Sequence, residues 1–326
     1  MKLSIIIPVY NAENDIGRCV ESIKKIKRIE YECIIIDDGS TDNTWLELKK
    51  YTADDPQFII RHITNNGVSN ARNIALNISC GDKILFLDAD DYLLSNAGDI
   101  LKKNMVFDDD LLIFTHKNIV DGQIKENYIY PNVQGLSYKK ALIKLVIENQ
   151  CLNNCWGKIF KSDIIKNNNI KFDPKMKIGE DAKFVLEYLQ KASSLRICNQ
   201  ALQAYIINEE GAMRKAGLEA LDDEIKTYKA RITTLNSLHI EVNDELIQVL
   251  NLTYYNKIIG YLIQDSHKYG VKQNYKNICR YIRNKKIEEI LGRLPNTSLS
   301  FKQKLLLIFI KNRWYLLLSV ILKIFI

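Results

Sequence analysis

Apolar positions along the first half of the chain alternate between two periods. The short, largely apolar runs Leu3–Val9, Glu32–Ile36, Phe58–Ile63 and Lys83–Leu87 read as buried strands. Between and after them, Glu13–Lys27, Thr44–Tyr51, Ser69–Ile78 and Asn96–Met105 carry the helical period. Strands separated by helices of this length predict βαβ units, hence an α/β fold with a mainly parallel sheet flanked by helices. A further strand, Leu111–Thr115, leads through Asp121-Gly122 into a hairpin. Downstream come a helix near Lys139–Glu148, a loop holding Cys155-Trp156-Gly157-Lys158, and a helix opened by Gly179-Glu180-Asp181. Past Gly211 turn signals become scarce and the chain reads as mostly helical. The expected division is a sheet-bearing domain over 1–210, a helical region over 211–300, and a C-terminal pair of helices over 301–326.

A parallel sheet binds ligands in the crevice beyond the carboxyl ends of its strands. The polar clusters of this chain fall there. Tyr10-Asn11 follows the first strand, Asp37-Asp38-Gly39-Ser40 the second, and Asp88-Ala89-Asp90-Asp91 the fourth. Asp88 and Asp90, at the end of a rigid strand, can share one hard cation. Mg²⁺ and Mn²⁺ favour oxygen ligands and are commonly held by one or two carboxylates plus substrate phosphates. Asp42 reads as a cap for the next helix, leaving Asp37 and Asp38 to face a ligand; a carboxylate there can accept the imide N–H of a uracil ring. Ser69 is the expected cap of the third helix. Arg72 could bind a base or balance a diphosphate, or lie on the surface. The run Asp108-Asp109-Asp110 precedes its strand, so it is expected at the opposite edge as a solvated turn.

Composition narrows the class. With 326 residues, 47% of them apolar and 26% charged, the chain is long enough for a large core. Its net charge is +7, yet Lys302, Lys304, Lys311, Arg313 and Lys323 face no acidic residue in 301–326. Without those five the balance is 41 basic to 39 acidic, which argues against a broad nucleic-acid surface. Seven cysteines with no CxxC pair fit reduced thiols in a cytoplasmic protein. The apolar start, Met1 to Pro8, is too short for a secretion signal and reads as a strand. The histidines His62, His116, His239 and His267 have no ligand spacing and read as structural.

Taken together, Pro8-Val9-Tyr10-Asn11, Asp37 to Asp42, Gly67 to Asn73 and Leu87 to Asp91 resemble, in order and spacing, the signature of family 2 glycosyltransferases. The resemblance covers residues 1–95 and implies the GT-A fold, a nucleotide-sugar donor, a divalent cation (Mn²⁺ or Mg²⁺) and inversion at the anomeric carbon. It assigns Tyr10 and Asp38 to the base, with Pro8, Asn11 and Asp37 in the same nucleotide site. Arg72 goes to the nucleotide, and Asp88 and Asp90 to the ribose and the metal–diphosphate. Gly179-Glu180-Asp181 is similar to the family's second acidic motif, with Asp181 as the catalytic base and Glu180 beside it. Trp156-Gly157-Lys158 resembles a Trp-x-Lys element that would contact the acceptor. Arg214 stands near where relatives carry a diphosphate contact.

The tail Phe301–Ile326 is very apolar but broken by basic residues. A spanning helix needs roughly 20 predominantly apolar residues. The expectation is an interfacial helix pair on an anionic membrane surface, the alternative being packing on the protein or on a second subunit of a homo-oligomer. Ile310 stands where processive synthases place a glutamine before Arg-Trp, which argues against that class. The sequence thus points to a glycosyltransferase at the inner face of the cell membrane. It would add one sugar, from a UDP-linked donor, to a glycan or lipid-linked acceptor of a capsule, lipopolysaccharide or similar polymer. The competing readings are a sugar nucleotidyltransferase, which would want a Gly-rich phosphate loop after the first strand, and a membrane-bound scaffold without activity.

Overall fold

In the computed structural model, which describes residues 1–53, 55–207, 217–294 and 299–325, the four apolar runs form one half of a sheet. Strands β1 (Lys2–Val9), β2 (Glu30–Asp37), β3 (Phe58–His62) and β4 (Lys83–Phe86) lie in the order β3-β2-β1-β4, all parallel. Helices α1 (Ile16–Lys24), α2 (Thr44–Thr52) and α3 (Val68–Ile78) connect them. Ile5, Ile6 and Ile7 are all fully buried. A strand covered on both faces has no reason to alternate, which is why β1 reads as a continuous apolar run.

The other half of the sheet is mixed. After β5 (Tyr92–Leu93) and α4 (Ala97–Asn104) come β6 (Leu111–Val120) and β7 (Gln123–Tyr128). Helix α5 (Tyr138–Leu142) continues into a π-helical turn, Ile143–Glu148. Strand β8 (Lys158–Lys161) lies antiparallel between β4 and β6, and β9 (Leu195–Ile206) pairs parallel with β6. Helices α6 (Ser162–Asn167) and α7 (Glu180–Leu189) separate those two strands. Among the described residues nine strands share this one sheet. The β6–β7 hairpin turns at Asp121 (φ 49°) and Gly122 (φ 73°), both left-handed, as a tight Asp-Gly turn requires. Asp110 corrects the expectation of a solvated turn. It is buried, its carboxylate accepts the Ser193 N–H and O–H at 2.7 and 2.8 Å, and it faces Lys161 Nζ at 3.0 Å.

The chain divides into two compact units. The first comprises 1–145, 149–176 and 180–208 and holds the sheet; the second comprises 146–148, 177–179 and 209–326. The second is helical: α8 (Leu221–Ser237), α9 (Asp244–Lys268), α10 (Val271–Tyr281), α11 (Lys285–Gly292), α12 (Phe301–Lys311) and α13 (Tyr315–Phe325). Helix α12 starts with a capping box: Ser300 Oγ accepts the Gln303 N–H, and Gln303 Oε1 accepts the Ser300 N–H. One face of each tail helix packs within this unit. Leu306, Leu307, Phe309, Ile310, Tyr315, Leu318 and Leu322 are buried, and Lys323 Nζ donates to Ser266 O at 2.9 Å. No helix among the described residues is long and apolar enough to cross a membrane.

Candidate active site

The loops after β1, β2 and β3 are tied to one another by side-chain bonds. Asn11, held at a left-handed φ of 49°, donates its N–H to Ser40 Oγ at 2.9 Å and accepts the Thr41 N–H at 2.8 Å on Oδ1. Glu13 accepts the Asn43 N–H at 2.8 Å, and Asp42 accepts the Glu13 and Thr44 N–H groups at 3.2 and 3.0 Å. Asp38 spans to the third loop: its two oxygens accept the N–H groups of Asn66 and Gly67 at 2.9 and 2.8 Å. Gly67, at φ 88°, stands at the cap position of α3 that was expected of Ser69, whose hydroxyl instead donates to Asp173 O.

These loops enclose a cavity of about 340 Å³ lined by Pro8, Val9, Tyr10, Asp38, Asn65, Gly67 and Val68. Tyr10 is half exposed at its side and offers a free ring face for a planar base. Asp37 and Asn11 do not line it. Asp37 is fully buried; Oδ1 accepts the Ser40 N–H and O–H at 3.1 and 2.5 Å, and Oδ2 meets His62 Nδ1 at 2.6 Å. Tied to Ser40 in its own loop and to His62 at the end of β3, Asp37 braces the loops around the cavity.

The second focus lies at the end of β4, the strand next to β1. Arg72, from α3, is 3% exposed and held by three carboxylates. Its Nη2 donates to Asp88 Oδ1 at 2.9 Å, and its Nη1 to Asp181 Oδ1 at 2.5 Å and Glu180 Oε1 at 3.3 Å. The guanidinium lies 5.2 Å from the Phe172 ring centre. Sequence reading sent this arginine to the nucleotide or the surface. It is neither surface-exposed nor part of the base cavity, because carboxylates from two distant segments close around it. Glu180 and Asp181 open α7, where the helix dipole favours negative charge. Burial, then the Asp181 charge, pushes Glu180 up to about 7, and burial also raises Asp88. Asp181 Oδ2 takes the Cys155 N–H at 3.4 Å.

Asp91, the last acid of the cluster, was given no role from sequence. It is fully buried, accepts the Ile206 N–H at 2.8 Å and meets Gln203 Nε2 at 3.2 Å, so it pins the end of β9 to the acidic turn. The signal that could have found it is the third carboxylate itself, one more than a single cation needs.

Residues 4–153 match glycosyl transferase family 2. That match spans just under half of the chain and is a likeness to the family over that stretch. The chain is 25% identical over 266 residues to glycosyltransferase GlyA of Streptococcus pneumoniae, covering 76% of this chain and 37% of that protein. It is 29% identical over 222 residues to the poly(ribitol-phosphate) beta-glucosyltransferase of Bacillus spizizenii, covering 65% and 33%. The chain thus spans about a third of the length of these relatives. Among solved structures, Staphylococcus aureus TarS residues 1–349 superposes with a TM-score of 0.68 at 20% identity, covering 99% of this chain and 90% of that one. That fragment has also been solved with UDP and with UDP-GlcNAc. The likeness places the sheet in the GT-A class.

The family's divalent cation can be tested against these residues. No cage of three or more His, Cys, Asp or Glu side chains exists among the described residues. Asp88 gives Oδ1 to Arg72 and keeps Oδ2 unbonded to the described residues, and Asp90 stands half-buried beside it. Burial and the neighbouring Asp88 push Asp90 up to about 6, so a cation there would meet a carboxyl in need of positive charge. An all-oxygen pair completed by substrate phosphates fits Mg²⁺ or Mn²⁺.

The Trp-x-Lys element divides. Trp156 stacks on Tyr205 with ring centres 4.9 Å apart and meets His116 edge-on at 4.8 Å. Lys158 is fully buried and donates to Asn154 Oδ1 at 3.2 Å and Trp156 O at 3.3 Å; burial pulls its pKa down to about 8. Its ammonium supports the Trp156 backbone. Arg214 lies outside the described residues. A larger cavity, about 600 Å³, opens beside residues 129–136 and β9 but contains none of the acidic cluster.

Proposed function

We propose that the protein is an inverting, cation-dependent glycosyltransferase that moves one sugar from a UDP-linked donor to a hydroxyl of a cell-surface glycan. One observation carries the reading: Asp88 and Asp181, over ninety residues apart in sequence, meet on one buried guanidinium at the carboxyl edge of the parallel strands. The base would sit in the cavity between Tyr10 and Asp38. Each Asp38 oxygen accepts one backbone N–H and retains a lone pair for the uracil imide N–H. Asp181 takes the proton of the acceptor hydroxyl as that oxygen attacks the anomeric carbon in line. The bond from that carbon to the diphosphate breaks in the same step, and UDP leaves. A Mg²⁺ or Mn²⁺ ion held by Asp88 and Asp90 would neutralise the charge growing on the diphosphate. Arg72 holds Asp88 and Asp181 in place by hydrogen bonds to both. Trp156 offers an aromatic face for an acceptor sugar. Relatives named for poly(ribitol-phosphate) glycosylation support a surface-polymer acceptor.

The test is calorimetric binding of UDP, GDP and ADP, followed by nucleoside diphosphate release from a panel of nucleotide sugars. UDP is expected to bind most tightly. Asp181→Asn should lower kcat by about 10²–10⁴-fold with UDP affinity retained. Equal affinity for UDP and GDP would overturn the base assignment, and unchanged kcat in the Asp181 variant would overturn the mechanism.

A further inference from the structure

The charge of this protein is segregated along the chain. Residues 268–326 hold 13 basic side chains and 2 acidic ones, Glu288 and Glu289, a balance of +11. The preceding residues hold the remaining 33 basic and 37 acidic, a balance of −4. The net +7 therefore hides an acidic body and one strongly basic terminal segment.

That segment is also where apolar side chains lie exposed. On α12 the exposed positions recur at helical spacing: Phe301, Lys304, Leu305, Ile308 and Lys311 form one stripe, while Leu306, Leu307, Phe309 and Ile310 face the protein. Phe301 is 83% exposed and Ile308 48%. On α13, Leu316, Leu317 and Ile324 are exposed opposite the buried Tyr315, Leu318 and Leu322. Trp314, between the helices, is 53% exposed. Lys302, Lys304 and Lys311 form no ion pair among the described residues. Helix α10, packed on α13, adds Lys272, Lys276 and Arg280, all exposed.

We propose that this mixed basic and apolar surface docks the protein on an anionic lipid bilayer. Interleaved lysines and large apolar side chains suit a headgroup boundary: the ammonium groups meet lipid phosphates while Phe301, Ile308 and the leucines enter the acyl edge. A nucleic acid would use the charge and leave the apolar stripes wet. A second copy would have to bring the same positive surface against itself. The proposal is independent of the donor chemistry, since it involves only the helical unit.

The test is co-sedimentation of the full chain with vesicles of phosphatidylglycerol in phosphatidylcholine and of phosphatidylcholine alone. Binding should be strong on the first and weak on the second, and a fraction should survive high salt. Each basic residue near the surface contributes about 1 kcal/mol, so K302Q/K304Q/K311Q should lower partitioning roughly 100-fold. Leu316→Ser with Leu317→Ser should abolish the salt-resistant fraction. All five side chains are exposed, so melting temperatures should stay within about 2 °C of the parent, which separates lost docking from lost folding. Equal binding to both vesicles, or unchanged binding of the lysine triple variant, would overturn the proposal. So would a concentration-dependent dimer that the leucine variant dissolves.

Discussion

Replacing Arg72 by methionine keeps the side-chain length and removes the positive charge. Three carboxylates then lose their shared partner: Asp88 at 2.9 Å, Asp181 at 2.5 Å and Glu180 at 3.3 Å, around a guanidinium only 4% exposed. Removing one member of a buried ion pair costs about 3–5 kcal/mol, because the remaining charges stay buried. In a unit of this size each kcal/mol shifts the melting point by roughly 2–4 °C, so the loss should be about 6–20 °C. The loss should also depend on pH. Burial raises Asp88 and Glu180, and Arg72 opposes that rise in both. Without it their folded-state pKa values climb further, so the folded variant holds protons that the unfolded chain releases. Its stability then falls, relative to the parent, as pH rises through and beyond the Glu180 value of about 7. The deficit should be largest near pH 8 and shrink near pH 5 as the carboxyls protonate. Thermal melts followed by circular dichroism at both pH values measure it. A drop under about 3 °C, or an equal drop at both pH values, would refute the picture of an arginine neutralising three carboxylates.

Two further outcomes follow from the same cluster. Asp90→Asn should leave the melting point near the parent's and remove most transferase activity, and EDTA should do the same to the parent until Mg²⁺ or Mn²⁺ is restored; full turnover in EDTA would refute the cation assignment. Glu180→Gln should melt higher than the parent at pH 8 but not at pH 5. Burial and the Asp181 charge raise the folded-state pKa to about 7, so the cost of ionising this carboxylate grows as pH climbs from the unfolded value toward 7 and is fully present above it; a pH-independent difference would count against it.

The parallel half of the fold was legible because strands buried on both faces leave short apolar runs that nothing else imitates. Strand β9 was not. Its polar residues Asn199, Gln200 and Gln203 interrupt any alternation, and its register against β6 shifts twice near Thr115. Strand β8 is four residues with a lysine at each end, and its place depends on β4 and β6 on either side. In the site, the residue types and their crevice were readable from motif spacing. Their division of labour was not. Whether Asp37 or Asp38 faces the cavity turns on which carboxylate the Ser40 and His62 side chains claim. Arg72 looks like any arginine on a helix until Glu180 and Asp181, more than a hundred residues on, are folded against it. The tail's exposed and buried stripes both carry Phe, Leu and Ile, so only packing tells which of these apolar side chains are covered.

The bonds among the three loops bear on how such a site can change. Asn11, Glu13, Ser40, Thr41, Asp42 and Asp38 form a lattice in which most members hold a backbone amide of another loop. Substitutions within such a lattice do not act singly; coupling energies between touching residues run to about 0.5–3 kcal/mol. Exchanging Asn11 or Ser40 alone would move the floor under the base cavity rather than reshape its wall. Tyr10, Asn65 and Val68 also face that cavity, and their side chains carry none of these ties. Divergence toward a different donor therefore has a cheap route and an expensive one. Changes at these three positions can accumulate one at a time, whereas a change in the lattice needs a compensating partner before it can be tolerated.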